Sequence, residues 1–430
     1  MRFRLSLMMA LVYAVQGAFW PLLAVHLKDL GIAGPARGWI FATLAIGSVA
    51  MPLGAGQFVD RRMASQRLLG LICAVATLFL ILLAAGVISG AGRLFLFFLA
   101  FWLVVAPIFT LSNTIALRHL DQPQSQFAGV RLWGTVGWMA VGWAVSIVMA
   151  ISGSAYEGRG AFDAFWVSAL LAGVLSVYSF TLPHTPPLAS LDEGPSGQRG
   201  LAGAIALTRK PGMPVFLLTA LGVHLTTPFV FQVMPNYLES RGLPRAWISS
   251  ALTIGQVPEI AMLAALPWVM HRIGTKATLA MGVGSWVIRY GSLAFQPPLW
   301  VVIAGMPLHG VAIACFTVAG QVYMDSRADR ELRASAQGLY MVLTAGLGCL
   351  GGSLLAGQVV GRLSGDYARV FLVPCVIDAA LLVYFCAGFR TRVMVGERRA
   401  ASFAVHPMKN DAVRGVGSRV GNLVTESADG

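Results

Sequence analysis

At 430 residues, with 57% hydrophobic and only 11% charged side chains and a mean hydropathy of +0.73, the chain lacks the charge that covers soluble proteins, roughly 25% of their residues. A soluble globular fold is excluded, and most of the surface must face lipid. The net charge of +13 does not call for nucleic acid, because basic residues collect in the cytoplasmic loops of membrane proteins.

A helix crossing the hydrocarbon core needs ~20 apolar residues. In chain order such runs are predicted at 5–27, 39–59, 68–88, 94–117, 132–151 and 165–182. A stretch at 186–210, rich in Pro, Ser and Gly, reads as a solvated linker. Six further runs follow at 215–238, 248–270, 277–294, 299–322, 336–360 and 370–389, and hydrophobicity ends beyond Arg390. The fold expected is an all-α membrane protein of twelve transmembrane helices in two six-helix halves. Its parts are an N-terminal half at 1–185, a cytoplasmic linker at 186–210, a C-terminal half at 211–390 and a basic cytoplasmic tail at 391–430. With both termini in the cytoplasm, that side holds 21 Lys and Arg and the other side 8, which supports this orientation. The first run lacks a cleavage site and is read as a retained helix. All five cysteines fall in apolar runs without metal-ligand spacing, so they are expected to be buried hydrophobes, and no metal site is expected. The basic tail is expected to be disordered, with contact to anionic membrane lipid as the alternative.

Two turns repeat. Gly56, Asp60 and Arg61 follow the second run as Pro267, His271 and Arg272 follow the eighth. Such duplication suits parallel six-helix halves, the plan of the major facilitator superfamily. Asp60 and Arg61 are candidates for a conformational lock acting on helix ends; a plain basic turn is the alternative.

A charge at mid-bilayer costs ~2.5–3.5 kcal/mol on insertion scales, so each needs a partner or a task. Within the runs stand Arg131, Glu259, Arg289 and Asp378, with His224 and His309. Arg131, Thr135 and Trp138 at i, i+4 and i+7 put a cation, a hydroxyl and an aromatic plane on one helix face. Gln256 and Glu259 put an amide beside a carboxylate. A nucleoside has a flat base to stack and ribose hydroxyls for such groups, although Arg131 and Glu259 could instead simply neutralise each other. A buried carboxylate can also exchange protons, which makes Glu259 a proton-coupling candidate. Asp378 is a second one, or it pairs with a neighbour such as Arg289. His224 reads as a packing residue. His309, which shares a face with Ile313, is a substrate-binding candidate with packing as the alternative, Gln232 is a substrate-binding candidate of the seventh run, and Gln16, Trp20, Phe109 and Asn113 are pore candidates by position. The glycines of the eleventh run, Gly338 to Gly357, suit close helix contact.

Several stretches carry a likeness: Arg131-Leu-Trp-Gly-Thr-Val-Gly137, Thr181-Leu-Pro-His184, Gln256-Val-Pro-Glu259, Trp286-Val-Ile-Arg289, Arg333-Ala-Ser-Ala-Gln-Gly338, Gly348-Cys-Leu-Gly-Gly352, and Pro107 with Asn113-Thr-Ile115. By these the chain resembles the bacterial nucleoside:proton symporters, nucleoside permeases of the major facilitator superfamily, over nearly its whole length. The resemblance implies substrate contacts at Arg131, Thr135, Gln256 and Glu259, a stacking aromatic at Trp138, and the proton as coupling ion with no other cofactor. His309 stands where the family has a Tyr, and Ile313 where it has an aromatic. The function expected is proton-coupled import of nucleosides across the inner membrane by a monomeric alternating-access transporter. The alternative is the same fold moving another small polar solute such as a sugar, or an exporter. The chain contains no His-Glu-x-x-His, Gly-x-Ser-x-Gly or phosphate-loop pattern, so no enzyme is expected.

Overall fold

A computed structural model describes residues 1–50, 63–153, 160–186, 203, 205–329, 332–363 and 365–390. The expected lock at Asp60 and Arg61, most of the linker and the tail beyond Arg390 lie outside the described residues.

The first helices are α1 (Arg2–Asp29), α2 (Gly34–Ala50), α3 (Ser65–Ala84), α4 (Ala91–Val105), α5 (Pro107–His119), α6 (Pro123–Ser152) and α7 (Gly160–Ser179). The seventh run becomes α8 (Met213–Thr226), α9 (Phe229–Gln232) and α10 (Met234–Ser240). After a 3₁₀ turn at Arg245–Trp247 come α11 (Ile248–Thr253) and α12 (Gln256–Ala294). The tenth run holds α13 (Leu299–Ala304), α14 (Pro307–Ala312), a π segment at Ile313–Val318 and α15 (Ala319–Arg327). The eleventh holds α16 (Arg333–Met341), a π segment at Val342–Gly348 and α17 (Cys349–Arg362), and α18 (Tyr367–Gly388) closes the chain.

Among the described residues ten stretches are long and apolar enough to cross a membrane. One of them, Arg245–Ala294, contains both the eighth and the ninth expected runs. Gly274 separates these two, at φ 82° and ψ 161° inside α12, a conformation that residues with a Cβ rarely adopt. Apart from the break at Ile254–Gly255 between α11 and α12, four other internal breaks fall at prolines. Pro107, Pro228, Pro235 and Pro307 each lack the N–H that the preceding turn needs, and each stands within one residue of a helix start. These breaks expose backbone polar groups at membrane depth, which is tolerated only where protein or a polar site covers them.

Two apolar clusters organise the bundle. One lies wholly within residues 5–182, apart from partly buried Phe231 at its edge, while the other joins residues 207–389 to Ala14, Ala18, Leu22 and Val25 of α1, to Val141, Val145 and Met149 of α6 and to Ala164 of α7. Helices in lipid gain little from the hydrophobic effect, so close packing through small residues must hold them. The eleventh-run glycines do this. A Cβ at Gly352 would lie 2.4 Å from the Leu225 carbonyl, and one at Gly357 would lie 2.7 Å from the Gly34 carbonyl, where α2 and α17 meet. Replacing Gly357 with Val is expected to force these helices apart and cost about 1–3 kcal/mol, measured as a lowered Tm in detergent. The cysteines are free; Cys73 and Cys315 are buried as expected, whereas Cys386 is exposed.

Candidate functional site

Arg131 stands deeper than its sequence position suggested. The expected fifth run begins at 132, but α6 begins at Pro123 because Pro at a first helical position sacrifices only an N–H that has no intrahelical partner. The guanidinium therefore sits two turns inside the helix, 4.1 Å from the centroid of the Tyr13 ring. Thr135 and Trp138 follow on the same face. Trp138 packs against Gly17 of α1, where a Cβ would lie 3.0 Å from the indole, and meets the Phe231 ring edge-on at 6.2 Å. Phe231 also lies 6.5 Å from Trp20, so an aromatic side chain of α9 reaches two tryptophans from the first half of the chain.

Across from these, Gln256 and Glu259 occupy the first turn of α12, where the helix dipole favours an acidic group. The helix α14 is pressed onto this turn: a Cβ at Gly310 would lie 2.3 Å from the Gly255 carbonyl and 2.4 Å from the Glu259 nitrogen. His309, one residue before Gly310, is thereby set beside the Gln256 and Glu259 turn, its ring edge-on to Trp286 at 5.3 Å. Glu259 is half-buried and makes no ion pair or hydrogen bond among the described residues; the charged side chain acting on it is Arg131. The two do not neutralise each other by direct contact. Among the candidates, Gln256 Oε1, His309 Nδ1 and Nε2 of Gln232, a residue only 7% exposed at the end of α9, are buried polar atoms without partners. A desolvated polar atom left unpaired costs about 1–3 kcal/mol, so each of these atoms has hydrogen-bonding capacity to offer a polar group that reaches it.

The other candidates divide. His224 is a packing residue as expected, its Nδ1 2.8 Å from the Ala220 carbonyl. Asp378 is fully buried between α8 and α18 and accepts a hydrogen bond from Thr226 Oγ1 at 3.1 Å. Arg289, named above as its possible partner, instead donates to Met306 Sδ at 3.6 Å and lies 5.8 Å from the Trp286 ring. Of the pore candidates, Phe109 braces Tyr13, with ring centroids 5.1 Å apart, Trp20 joins the aromatic group, Gln16 lines a small apolar cavity beside Phe19 and Phe109, and Asn113 Oδ1 is buried without a partner.

Sequence reasoning overlooked Tyr13, Phe231 and a ring of charges at the end of α1. Lys28 Nζ donates to Glu239 Oε2 at 2.9 Å, and Arg245 holds both Asp29 oxygens at 2.6 and 2.8 Å while its Nε donates to Glu239. Asn236 Nδ2 donates to the Ala24 carbonyl at 3.3 Å, and the Ser250 amide to Ser146 Oγ at 3.3 Å. Partial burial opposes ionisation of Glu239, yet the hydrogen bonds and charges of Lys28 and Arg245 hold its carboxyl below the usual carboxylate range. Together these contacts tie the first half of the chain to the second. The ion pairs of this set lie at the side where α1 ends.

The chain matches the family described as Nucleoside H+ symporter over residues 1–393. The putative nucleoside transporter YegT of Escherichia coli (strain K12) is 28% identical, matched over 90% of this chain and 93% of its own length. The xanthosine permease of the same strain is 26% identical over 90% of this chain and 95% of its own, and its nucleoside permease NupG is 23% identical over 91% and 96%. A crystal structure of a mutant form of nucleoside transporter NupG superposes with a TM-score of 0.81 at 23% identity, covering 90% of this chain and 100% of that one. The all-helical fold is shared with that transporter.

Proposed function

Because the chain belongs to the nucleoside H+ symporter family, and is a multi-pass transporter rather than an enzyme, we propose that it imports nucleosides with protons across the inner membrane by alternating access. The observation that carries this reading is the unpaired carboxylate of Glu259, half-buried across from the Arg131, Thr135 and Trp138 face of α6. The base stacks on Trp138, close to Phe231. Ribose hydroxyls bond to Gln256 and Glu259, the base edge to His309 and Gln232, and Arg131 supplies donors from the opposite side. Relatives named for nucleosides and for xanthosine agree with that cargo.

The excess of basic residues on the side of both termini supports a cytoplasmic location for them, and the ion-paired end of α1 then faces outward. We read the geometry as the inward-facing stage of the cycle, because the ion pairs at the end of α1 tie the two halves together on that side. Glu259 carries the proton, Asp378 is structural through its bond to Thr226, and the transporter works as a monomer surrounded by lipid.

Purified protein in proteoliposomes is expected to take up labelled uridine or adenosine, and an inward pH gradient is expected to drive uptake above equilibrium. Counterflow indifferent to every nucleoside but responsive to a sugar would overturn the cargo. Replacing Trp138 with Ala is expected to raise KM about tenfold, since stacking a base on an aromatic ring is worth about 1–3 kcal/mol, while Trp138→Phe retains most of the affinity.

A further inference from the structure

An arginine two turns into a membrane helix ordinarily extends along its stem toward the nearer interface. Arg131 does not. Its Nη1 lies back over Gly134, where an added Cβ would stand 2.9 Å from it, one turn deeper instead of at the start of α6. Four features hold it there. The Tyr13 ring of α1 lies under the guanidinium at 4.1 Å, within the range in which an aromatic face attracts a cation. The ring fits only because residue 134 has no side chain: a Cβ there would lie 2.6 Å from Tyr13 Cδ2. The backbones of α1 and α6 approach closely at the next turn as well, where a Cβ on Gly137 would lie 2.2 Å from the Ala10 carbonyl. Phe109 of α5 supports the far edge of the Tyr13 ring at 5.1 Å and 62°. No carboxylate lies within ion-pair distance of Arg131 among the described residues, so an aromatic face takes the place that a counter-ion would fill, and the charge stays available to a ligand.

We infer that Tyr13 is a positioning residue for cargo binding: its ring, seated in the Gly134 slot and braced by Phe109, aims the Arg131 guanidinium at the substrate. The inference rests on the reading of Arg131 as a substrate contact. Tyr13 need not touch the nucleoside itself. A negatively charged partner would anchor Arg131 more strongly, but it would also compete with the cargo for the same donors; a ring fixes direction without a counter-charge.

The test is initial-rate uptake of labelled uridine by the full-length chain in proteoliposomes. Tyr13→Leu is expected to raise KM about tenfold with the maximal rate little changed, the cost of losing one desolvated cation–π contact. Tyr13→Phe keeps the ring and is expected to stay within about twofold of the parent. Arg131→Ala raises KM by itself, and adding Tyr13→Leu to it is expected to change nothing further, because a residue that acts only through Arg131 has no effect without it. A Tyr13→Phe variant as impaired as Tyr13→Leu, an unchanged KM in Tyr13→Leu, or additive effects in the double variant would each overturn the inference while leaving the Arg131 reading intact. An unchanged KM in Arg131→Ala would overturn both. Should Tyr13→Leu fail to reach the membrane, Gly134→Ala replaces it with the native ring retained; its methyl group displaces ring or guanidinium, and a KM equal to the parent's would overturn the inference equally.

Discussion

Replacing Glu259 with Gln is expected to abolish uphill uptake and to spare exchange. A pH difference of one unit stores about 1.4 kcal/mol per proton, enough to sustain about tenfold accumulation if one proton accompanies each nucleoside. Proteoliposomes holding the parent protein should approach that ratio with an acidic exterior, while Glu259→Gln should stop at equal concentrations on both sides. The amide keeps the shape and the hydrogen-bonding reach of the carboxyl group, so counterflow of labelled against unlabelled uridine should persist within several-fold of the parent. Accumulation at the parent's level would remove Glu259 from the coupling step, and loss of counterflow along with accumulation would assign it to binding alone. Glu259 is chosen for this test because it has no hydrogen-bonded or ion-paired partner among the described residues, with only the charge of Arg131 acting on it, whereas Asp378 accepts a hydrogen bond from Thr226 at the α8 and α18 contact.

Most of this architecture was legible because hydropathy reports span count directly, and prolines mark where helices break. Pro107 and Pro307 start new helices where the sequence showed single runs. The depth of Arg131 was not legible by the same route. The first two turns of α6, Pro123 to Val130, include Gln and Ser and read as a loop, although they are helical. Tyr13 was hidden for the opposite reason: an aromatic residue inside an apolar run carries no local sign of a contact with a residue more than a hundred positions away. The same limit applies to charges. Lys28 and Arg245 entered the topology argument only by sign, and their carboxylate partners lie 211, 6 and 216 residues along the chain. Asp378 exposes a different weakness. Reasoning by charge favoured Arg289 as a partner, but Thr226 on the adjacent α8 provides a hydroxyl at 3.1 Å, and nothing in composition distinguishes that threonine from Thr227.

Replacing Arg245 with Ala is expected to shift the molecule away from the state described here. Arg245 is the one cation of the ring that touches both acids, and its removal breaks two of the three ion pairs and leaves Asp29 and Glu239 without their shared partner. Exposed pairs contribute about 0.2–1 kcal/mol each, and these are only about one-fifth exposed on the Arg245 side. A loss of about 1–2 kcal/mol follows, worth a factor of about 5–30 in the balance of open and closed states. It would appear as faster labelling of a cysteine placed at Gln232 by an impermeant thiol reagent added from the side where α1 ends, compared with the same cysteine in the parent. Acidity on that side should act in the same direction. Glu239 has a lower pKa in the ring than it would have when solvated; the ring's contribution to closure is therefore complete above the solvated pKa and is lost as pH falls through the lowered one. High salt should mimic the effect weakly, because the pairs are partly shielded from screening. If labelling of the parent chain slowed on acidification, or if Arg245→Ala labelled no faster than the parent, the ring would be a passive surface feature. The opposite outcome would mean that the proton-rich side loosens its own seal, and cargo and proton would then find the site accessible from the side on which both are to be loaded.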